Sequence, residues 1–124
     1  MAKSGHSLKI LYSEGNEQVL SSQSAAMQKA GHKVEGAIGR QASLAALKNG
    51  NFDLVILGPT LSRDDRHHIP YMVKKAQSGT RVLVLHADGG RHPYVDANLD
   101  TGHNVQELLE KISAIQAEEV LIGK

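Results

Sequence analysis

The sequence predicts a single α/β domain in which a parallel β-sheet lies between two layers of helices. Short runs rich in Val, Ile and Leu alternate with segments of helical periodicity along most of the chain. The segment 53–57 contains an unbroken Leu-Val-Ile-Leu run, which is typical of a central parallel strand covered on both faces. The length of 124 residues suits one hydrophobic core. We therefore expect a three-layer sandwich with right-handed crossovers.

The first strand and the first helix are predicted from an apolar run and from capping residues. Residues 8–12 form the strand, and Asn16 is a suitable N-cap for a helix that follows it. The helix is expected over 17–30, because its apolar residues fall near one face. Gly31 is a residue type that commonly ends helices.

The second strand is expected over 32–37, where Gly36 weakens the pattern. An Ala-rich segment predicts a short helix over 42–47, which an Asn-Gly pair closes. The third strand follows over 53–57. These three elements complete the first half of the alternating pattern.

The third helix is predicted from its N-terminal signal and its periodicity. Ser62 and Asp65 resemble a capping box, with aspartate in place of the usual Glu or Gln. Apolar residues then recur at the spacing of a core-facing helix. Pro70 lies within this stretch, so the helix either begins at this proline or is kinked by it.

The C-terminal part predicts two further strands and a last helix. A fourth strand is expected over 81–86 and a short fifth strand over 96–100. Glycines and a proline within 87–97 predict a loop with at most one helical turn. Asn104 and Glu107 stand at capping-box spacing before the last helix.

Composition excludes several classes of function. The 14 basic and 13 acidic residues leave a net charge of +1, which gives no electrostatic argument for nucleic acid or for an anionic membrane. Three Tyr, one Phe and no Trp argue against a stacking platform for single strands. The absence of Cys excludes disulfides and thiolate metal sites. We expect a cytoplasmic protein with a disordered lead-in at 1–7 and one domain over 8–124.

The segment 36–57, with its Asn-Gly-Asn-Phe-Asp-Leu-Val-Ile-Leu ending, resembles the receiver domain of response regulators. The resemblance in element order and spacing extends over 8–115. It implies a flavodoxin-like five-stranded parallel sheet of order 2-1-3-4-5. In that family two acidic residues after the first strand hold Mg²⁺, and an aspartate after the third strand accepts a phosphoryl group. A Ser or Thr after the fourth strand and a Lys after the fifth contact the phosphate.

The five functional positions of the family fall on residues that have mostly lost this chemistry. Only the glutamate among them keeps a side chain of the family's type, and the glycine at the acceptor position cannot be a nucleophile. The resemblance therefore implies a degenerate phosphorylation site, no catalytic residue and no enzyme activity. In chain order, the positions are Glu14, Gly15, Gly58, His86 and Thr101.

The chain between His86 and Thr101 is shorter than a receiver requires, so the family's fourth helix is expected to be shortened or absent. In the family this helix, the fifth strand and the last helix contact partners. We expect a stand-alone pseudo-receiver in two-component or phosphorelay-type signal transduction. It would act by phosphorylation-independent interaction with a signalling kinase, an output protein or a second copy of itself. No cofactor is predicted.

The alternative from another class is a small-ligand or metal-binding flavodoxin-like protein that uses the same edge of the sheet. Gly58 would open volume there, and Glu14, His86 and His103 are the candidate metal ligands. No tight spacing such as His-x₃-His supports this set, so no metal is predicted. A catalytic serine at Ser13 is not predicted either, because the chain lacks a nucleophile-elbow motif.

Overall fold

The computed structural model describes residues 7–77, 79–85, 94–99 and 104–122, with side chains described as far as Ala117. Most of the expected lead-in, and most of the loop expected at 87–97, lie outside the described residues. Strands and helices alternate as predicted. In chain order, they are β1 (Lys9–Glu14), α1 (Glu17–Lys29), β2 (Lys33–Ile38), α2 (Gly39–Asn49), β3 (Leu54–Leu57), α3 (Arg63–Ala76), β4 (Arg81–Val84), β5 (Ala97–Asn98) and α4 (Val105–Ile122).

The described strands form one parallel sheet in the order β2-β1-β3-β4-β5, which confirms the predicted topology. In the register, Ser13 is paired with Leu57 of β3 and with Ala37 of β2. β1 and β3 are therefore neighbours near the centre of the sheet. Their carboxyl ends meet at the edge where open α/β sheets bind ligands.

β3 is buried on both faces, as its unbroken apolar run predicts. Leu54 and Ile56 belong to the core cluster that packs against α1 and α4, whereas Val55 and Leu57 belong to the cluster that packs against α2 and α3. All four side chains are at most 1% exposed. Helix residues that cover the two faces include Met27, Leu108 and Ile112 on one side and Leu47, Ile69 and Val73 on the other.

β1 is longer than the prediction of 8–12, and this difference matters for the site. The strand continues to Glu14, and both Ser13 and Glu14 are fully buried. Polar residues can extend a buried strand when their side chains find hydrogen-bond partners inside the protein. Glu14 therefore belongs to the sheet itself and not to the loop that follows.

Two helices begin earlier than the apolar pattern predicts. α2 begins at Gly39, whose φ of +84° turns the chain directly out of β2. α3 begins at Arg63, where the Ser62 hydroxyl accepts a hydrogen bond from the Asp65 N–H at 3.1 Å. Pro70 lies inside this helix, so the alternative in which the helix begins at the proline is wrong.

The connection between β4 and β5 consists of residues 85–96 and is the shortest between consecutive strands. The three preceding connections carry helices of 13, 11 and 14 residues. The described parts of the short connection, 85 and 94–96, are not helical. This agrees with the expectation that the family's fourth helix is shortened. The helix that follows β5 is therefore labelled α4.

α4 begins with the capping box that the sequence predicts. The Glu107 N–H donates to the Asn104 side-chain oxygen at 2.8 Å, and the Asn104 N–H donates to the Glu107 carboxylate at 3.0 Å. The helix extends to Ile122. None of the helices among the described residues has the length and apolar character needed to cross a bilayer.

Candidate functional site

The candidate site lies where β1 and β3 end side by side. Gly58 directly follows β3, and its N–H donates to the Ser13 carbonyl at 2.8 Å. Glu14 is the last residue of β1. This backbone contact brings Gly58, which the sequence predicts at the acceptor position, next to Glu14, which it predicts as one of the acidic pair.

The Glu14 carboxylate fills the space in which a side chain at position 58 would begin. A β-carbon built on Gly58 would overlap the carboxyl carbon of Glu14 and both of its oxygens. Gly58 is itself buried. The expectation that this glycine opens volume for a ligand is therefore wrong, because the neighbouring side chain occupies that volume.

The buried carboxylate accepts three hydrogen bonds from described residues. The Tyr12 hydroxyl donates to Glu14 Oε2. The Thr60 backbone N–H and the Thr60 hydroxyl donate to Oε1 at 3.1 and 2.5 Å. A buried carboxylate is costly unless it is hydrogen-bonded, so these donors are what allow Glu14 to be 0% exposed.

Tyr12 reaches Glu14 because residues two apart in a strand point to the same face of the sheet. Burial raises the pKa of the Tyr12 phenol well above its ordinary value, and the hydrogen bond to Glu14 raises it further. The phenol therefore stays protonated over the whole physiological range. It acts as a permanent donor to the carboxylate.

Thr60 connects the turn after β1 to the turn after β3. Its hydroxyl donates to Glu14 and accepts hydrogen bonds from the N–H groups of Gly15 and Asn16, at 2.7 and 3.0 Å. These three bonds use the full hydrogen-bonding capacity of a hydroxyl. Sequence analysis missed Thr60, whose only signal is its position two residues after Gly58.

Gly15 is also explained by this contact. A β-carbon at Gly15 would overlap the backbone carbonyl oxygen of Thr60. Position 15 therefore lies too close to the β3–α3 turn for any side chain in this arrangement. Gly58 and Gly15 both permit close approach, the first to a side chain and the second to the backbone.

Ser13 lies on the opposite side of the sheet from the Glu14 carboxylate. Its hydroxyl oxygen is 2.6 Å from that of Ser43 in α2, and the Ser43 hydroxyl donates to the Gly39 carbonyl at 2.7 Å. Since the Ser43 proton is used in that bond, Ser13 is the donor to Ser43. Both side chains are fully buried, and they attach α2 to β1.

The remaining predicted site residues, His86, Thr101 and His103, lie outside the described residues, so their proximity to Glu14 stays a prediction. The structure brings together Glu14, Gly15 and Gly58. Within the described parts of the chain, no three His, Asp or Glu side chains are grouped closely enough to hold a metal ion.

Comparison with solved structures shows the fold of response-regulator receiver domains. A CheY-like response regulator receiver domain protein from Methanospirillum hungatei is 21% identical, with a TM-score of 0.79 over 91% of this chain and 96% of that one. A receiver domain protein from Clostridium thermocellum is also 21% identical, with a TM-score of 0.76 over 92% and 98%. The response regulator TrrA from Thermotoga maritima, in complex with Mg²⁺ and BeF, is 20% identical, with a TM-score of 0.74 over 86% and 96%.

No family model matches the sequence, and no curated protein matches it. The structural likeness covers 96% and 98% of two of the compared chains, so the fold is of the receiver type. At these identities the likeness defines the fold.

Proposed function

We propose that this chain is an atypical receiver that takes part in response-regulator-type signal transduction through protein–protein interaction, without phosphorylation at position 58. The receiver fold supports the signalling role. The observation that carries the proposal is the Glu14 carboxylate, which fills the space of the acceptor side chain above Gly58.

Aspartyl phosphorylation needs a carboxylate that can attack a phosphorus atom and a divalent ion that neutralises charge during transfer. Gly58 has no side chain that could act as the nucleophile. Glu14 does not replace it, because its carboxylate is fully buried and accepts hydrogen bonds from Tyr12 and Thr60. These bonds use three of the roughly four acceptor positions of the carboxylate, and the group is not exposed to a Mg²⁺ ion.

The arrangement also favours a single state of the edge. Thr60 holds the turn after β3 against the turn after β1. Its hydroxyl donates to the carboxylate of Glu14, which is part of β1. A chain that does not depend on a modification would present the same surface to its partners at all times. Its regulation would then come from its abundance or from its partners.

Thermal denaturation with Mg²⁺ and beryllofluoride tests the phosphorylation-independent part of the proposal. TrrA, which is found with Mg²⁺ and BeF, is the positive control. A ligand that binds the folded state raises its melting temperature. We expect TrrA to be stabilised and this chain to be unchanged. A rise of several degrees for this chain, or Mg²⁺-dependent transfer of labelled phosphate from acetyl phosphate, would refute the proposal.

A further inference from the structure

β2 is a long strand at the edge of the sheet. It pairs with β1 over six consecutive residues, and no other described strand pairs with its outer side. The strand at the opposite edge, β5, has only two residues. Proteins commonly protect an edge by a short strand, a proline, a bulge or charged side chains, because an open edge pairs readily with another strand. β2 is long, contains no proline and has a continuous register, so its protection comes from charged residues, Lys33 and Glu35.

The backbone of β2 directs hydrogen-bonding groups outward at alternate residues. The Lys33 N–H donates to the Leu8 carbonyl at 2.9 Å, so the backbone groups of residues 33, 35 and 37 point toward β1. The backbone groups of Val34 and Gly36 therefore point away from the sheet. A strand laid against this edge would find hydrogen-bond donors and acceptors there.

The two charged side chains of β2 lie on one face of the sheet and are exposed. Lys33 and Glu35 share this face with Ala37, which belongs to the core cluster that packs against α2 and α3. On its inner side, Lys33 is paired in register with Lys9 of β1, which carries a like charge. An acidic side chain on the outer side of Lys33 would offset this repulsion.

The order of the charges selects one register for two copies of this edge. A two-fold contact between edge strands is antiparallel. With Val34 on the axis, Lys33 of each copy lies opposite Glu35 of the other. An axis at residue 33 or 35 places like charges opposite each other, and an axis at 36, 37 or 38 pairs neither charge with an opposite one. Val34 is therefore the centre within β2 at which the strand is complementary to itself.

The backbone supports the same centre. Since the N–H and C=O groups of Val34 point outward, two copies would exchange a pair of hydrogen bonds on the axis. The two Lys–Glu pairs would then stand at the positions without hydrogen bonds, where side chains across an antiparallel pair lie closest. Charge and backbone geometry thus favour one and the same register.

We propose that two copies of this chain associate through β2, antiparallel about a two-fold axis at Val34, so that their sheets become continuous. The proposal rests on the proposed role in protein–protein interaction and names a second copy of the chain as a partner. An extended segment of another protein could use the same outward backbone groups. The second copy is favoured because the charges of β2 match their own reversed order.

Charge reversal tests the partner and the register together. Light scattering of the purified chain should give the mass of a dimer at about 100 µM, a concentration suited to a small interface. Lys33→Glu and Glu35→Lys should each weaken dimerisation at least about tenfold, because each places two like-charged pairs across the axis. Raising the salt concentration should weaken the dimer of the unchanged chain.

An equimolar mixture of these two variants should dimerise again. In the mixed dimer the introduced glutamate lies opposite the introduced lysine, and the remaining Glu35 lies opposite the remaining Lys33. The double variant Lys33→Glu/Glu35→Lys should dimerise with itself and not with the unchanged chain. This pattern also shows that the variants are folded, because an unfolded variant would not regain association in the mixture.

Lys75→Glu and Glu110→Lys are the matched controls, because they make the same charge changes at exposed positions of α3 and α4. Both should dimerise as the unchanged chain does. A monomeric unchanged chain overturns the proposal, and this is the result expected if β2 receives a strand of another protein. A dimer that the β2 variants do not weaken, or a mixture that stays monomeric, overturns it as well. The beryllofluoride experiment reports on position 58 and not on β2, so the two proposals can fail separately.

Discussion

A buried tyrosine–glutamate pair is the decisive feature at the scale of single residues. Glu14 can be buried because Tyr12 and Thr60 donate to its carboxylate, and Gly58 and Gly15 make room for these contacts. A single side chain removed from this group leaves charged or polar atoms without partners in the interior. The free energy of unfolding should therefore respond strongly to small changes here.

Tyr12→Phe removes one hydrogen bond to the Glu14 carboxylate and keeps the ring. We expect the free energy of unfolding to fall by about 1–3 kcal/mol, because a buried charged acceptor loses a donor. Urea denaturation measures this. Tyr71→Phe, which removes the hydroxyl of an exposed tyrosine, is the control and should change stability by less than about 0.5 kcal/mol. Equal effects of the two changes would contradict the role given to Tyr12.

The raised pKa of Tyr12 predicts how this stability depends on pH. The unfolded chain releases the phenolic proton near its ordinary pKa of 10.0, whereas the folded chain retains it. The contribution of Tyr12 is therefore fully present below about pH 10 and declines as the pH rises further. The stability difference between the unchanged chain and Tyr12→Phe should shrink between about pH 9 and pH 11. A constant difference across that range would argue against the buried, protonated phenol.

Gly58→Ala tests the overlap with Glu14. The new methyl group collides with the carboxylate and displaces it from Thr60, so we expect a loss of about 1–3 kcal/mol. In a Glu14→Ala background the same change should cost much less, because the obstacle is gone. The double-mutant cycle from urea denaturation gives this coupling. Strict additivity would mean that the two residues do not compete for the same space.

At the scale of elements, Gln77 joins the ends of two helices to the start of β3. Its amide nitrogen donates to the carbonyls of Leu47 and Gly50, at 3.0 and 2.7 Å. Its amide oxygen accepts from the Phe52 N–H at 3.0 Å. The Gln77 amide, at the end of α3, thus provides hydrogen-bond donors for carbonyls at the end of α2 that have no partner within their helix.

Gln77→Glu should destabilise the fold by about 1–3 kcal/mol, since a carboxylate cannot donate to the two carbonyls of α2. Gln28→Glu is the matched control. Gln28 is exposed in the last turn of α1, so this change carries the same unfavourable charge at a helix C-terminus without the lost bonds. Denaturation of both variants measures the difference. If the control loses as much stability, the helix dipole alone explains the effect.

At the scale of the whole molecule, the short β4–β5 connection is fastened by Asp96. Its carboxylate accepts from the Lys74 ammonium at 2.7 Å and from the Val82 N–H at 2.8 Å. Lys74 also donates to the Thr80 carbonyl at 2.7 Å. This network ties α3 to β4 and to the end of the β4–β5 connection.

Asp96→Ala should loosen this edge more than it affects the rest of the sheet. Hydrogen exchange of residues 81–85 and 94–99 should become faster, because the Val82 N–H loses its acceptor and Lys74 loses its counter-charge. Exchange in β1 should change little. Glu110→Ala, at an exposed position of α4, is the control. Uniformly faster exchange across the sheet would show that the network acts on global stability instead.

The sequence predicts the fold well because the relevant signals are local. The apolar run of β3 is enough to predict a buried strand. The start of a helix is predicted from a single capping residue in three cases, and each cap is observed, at Asn16, Ser62 and Asn104. The contacts of the site join residues far apart in the chain. Glu14 and Thr60 are 46 positions apart, and neither periodicity nor spacing in the sequence predicts that their side chains are in contact. The sequence predicts that Gly58 follows the third strand, but it could not show that the Glu14 carboxylate fills the space next to this glycine.

The overlap between Glu14 and a side chain at position 58 couples distant positions of the sequence. A side chain at position 58 requires the end of the Glu14 side chain to move from its place. That movement takes the carboxylate away from the donors of Tyr12 and Thr60 in the interior. A substitution at position 58 is therefore transmitted through Glu14 to the turn after β3. Such substitutions should be tolerated best when positions 12, 14 or 60 change with them.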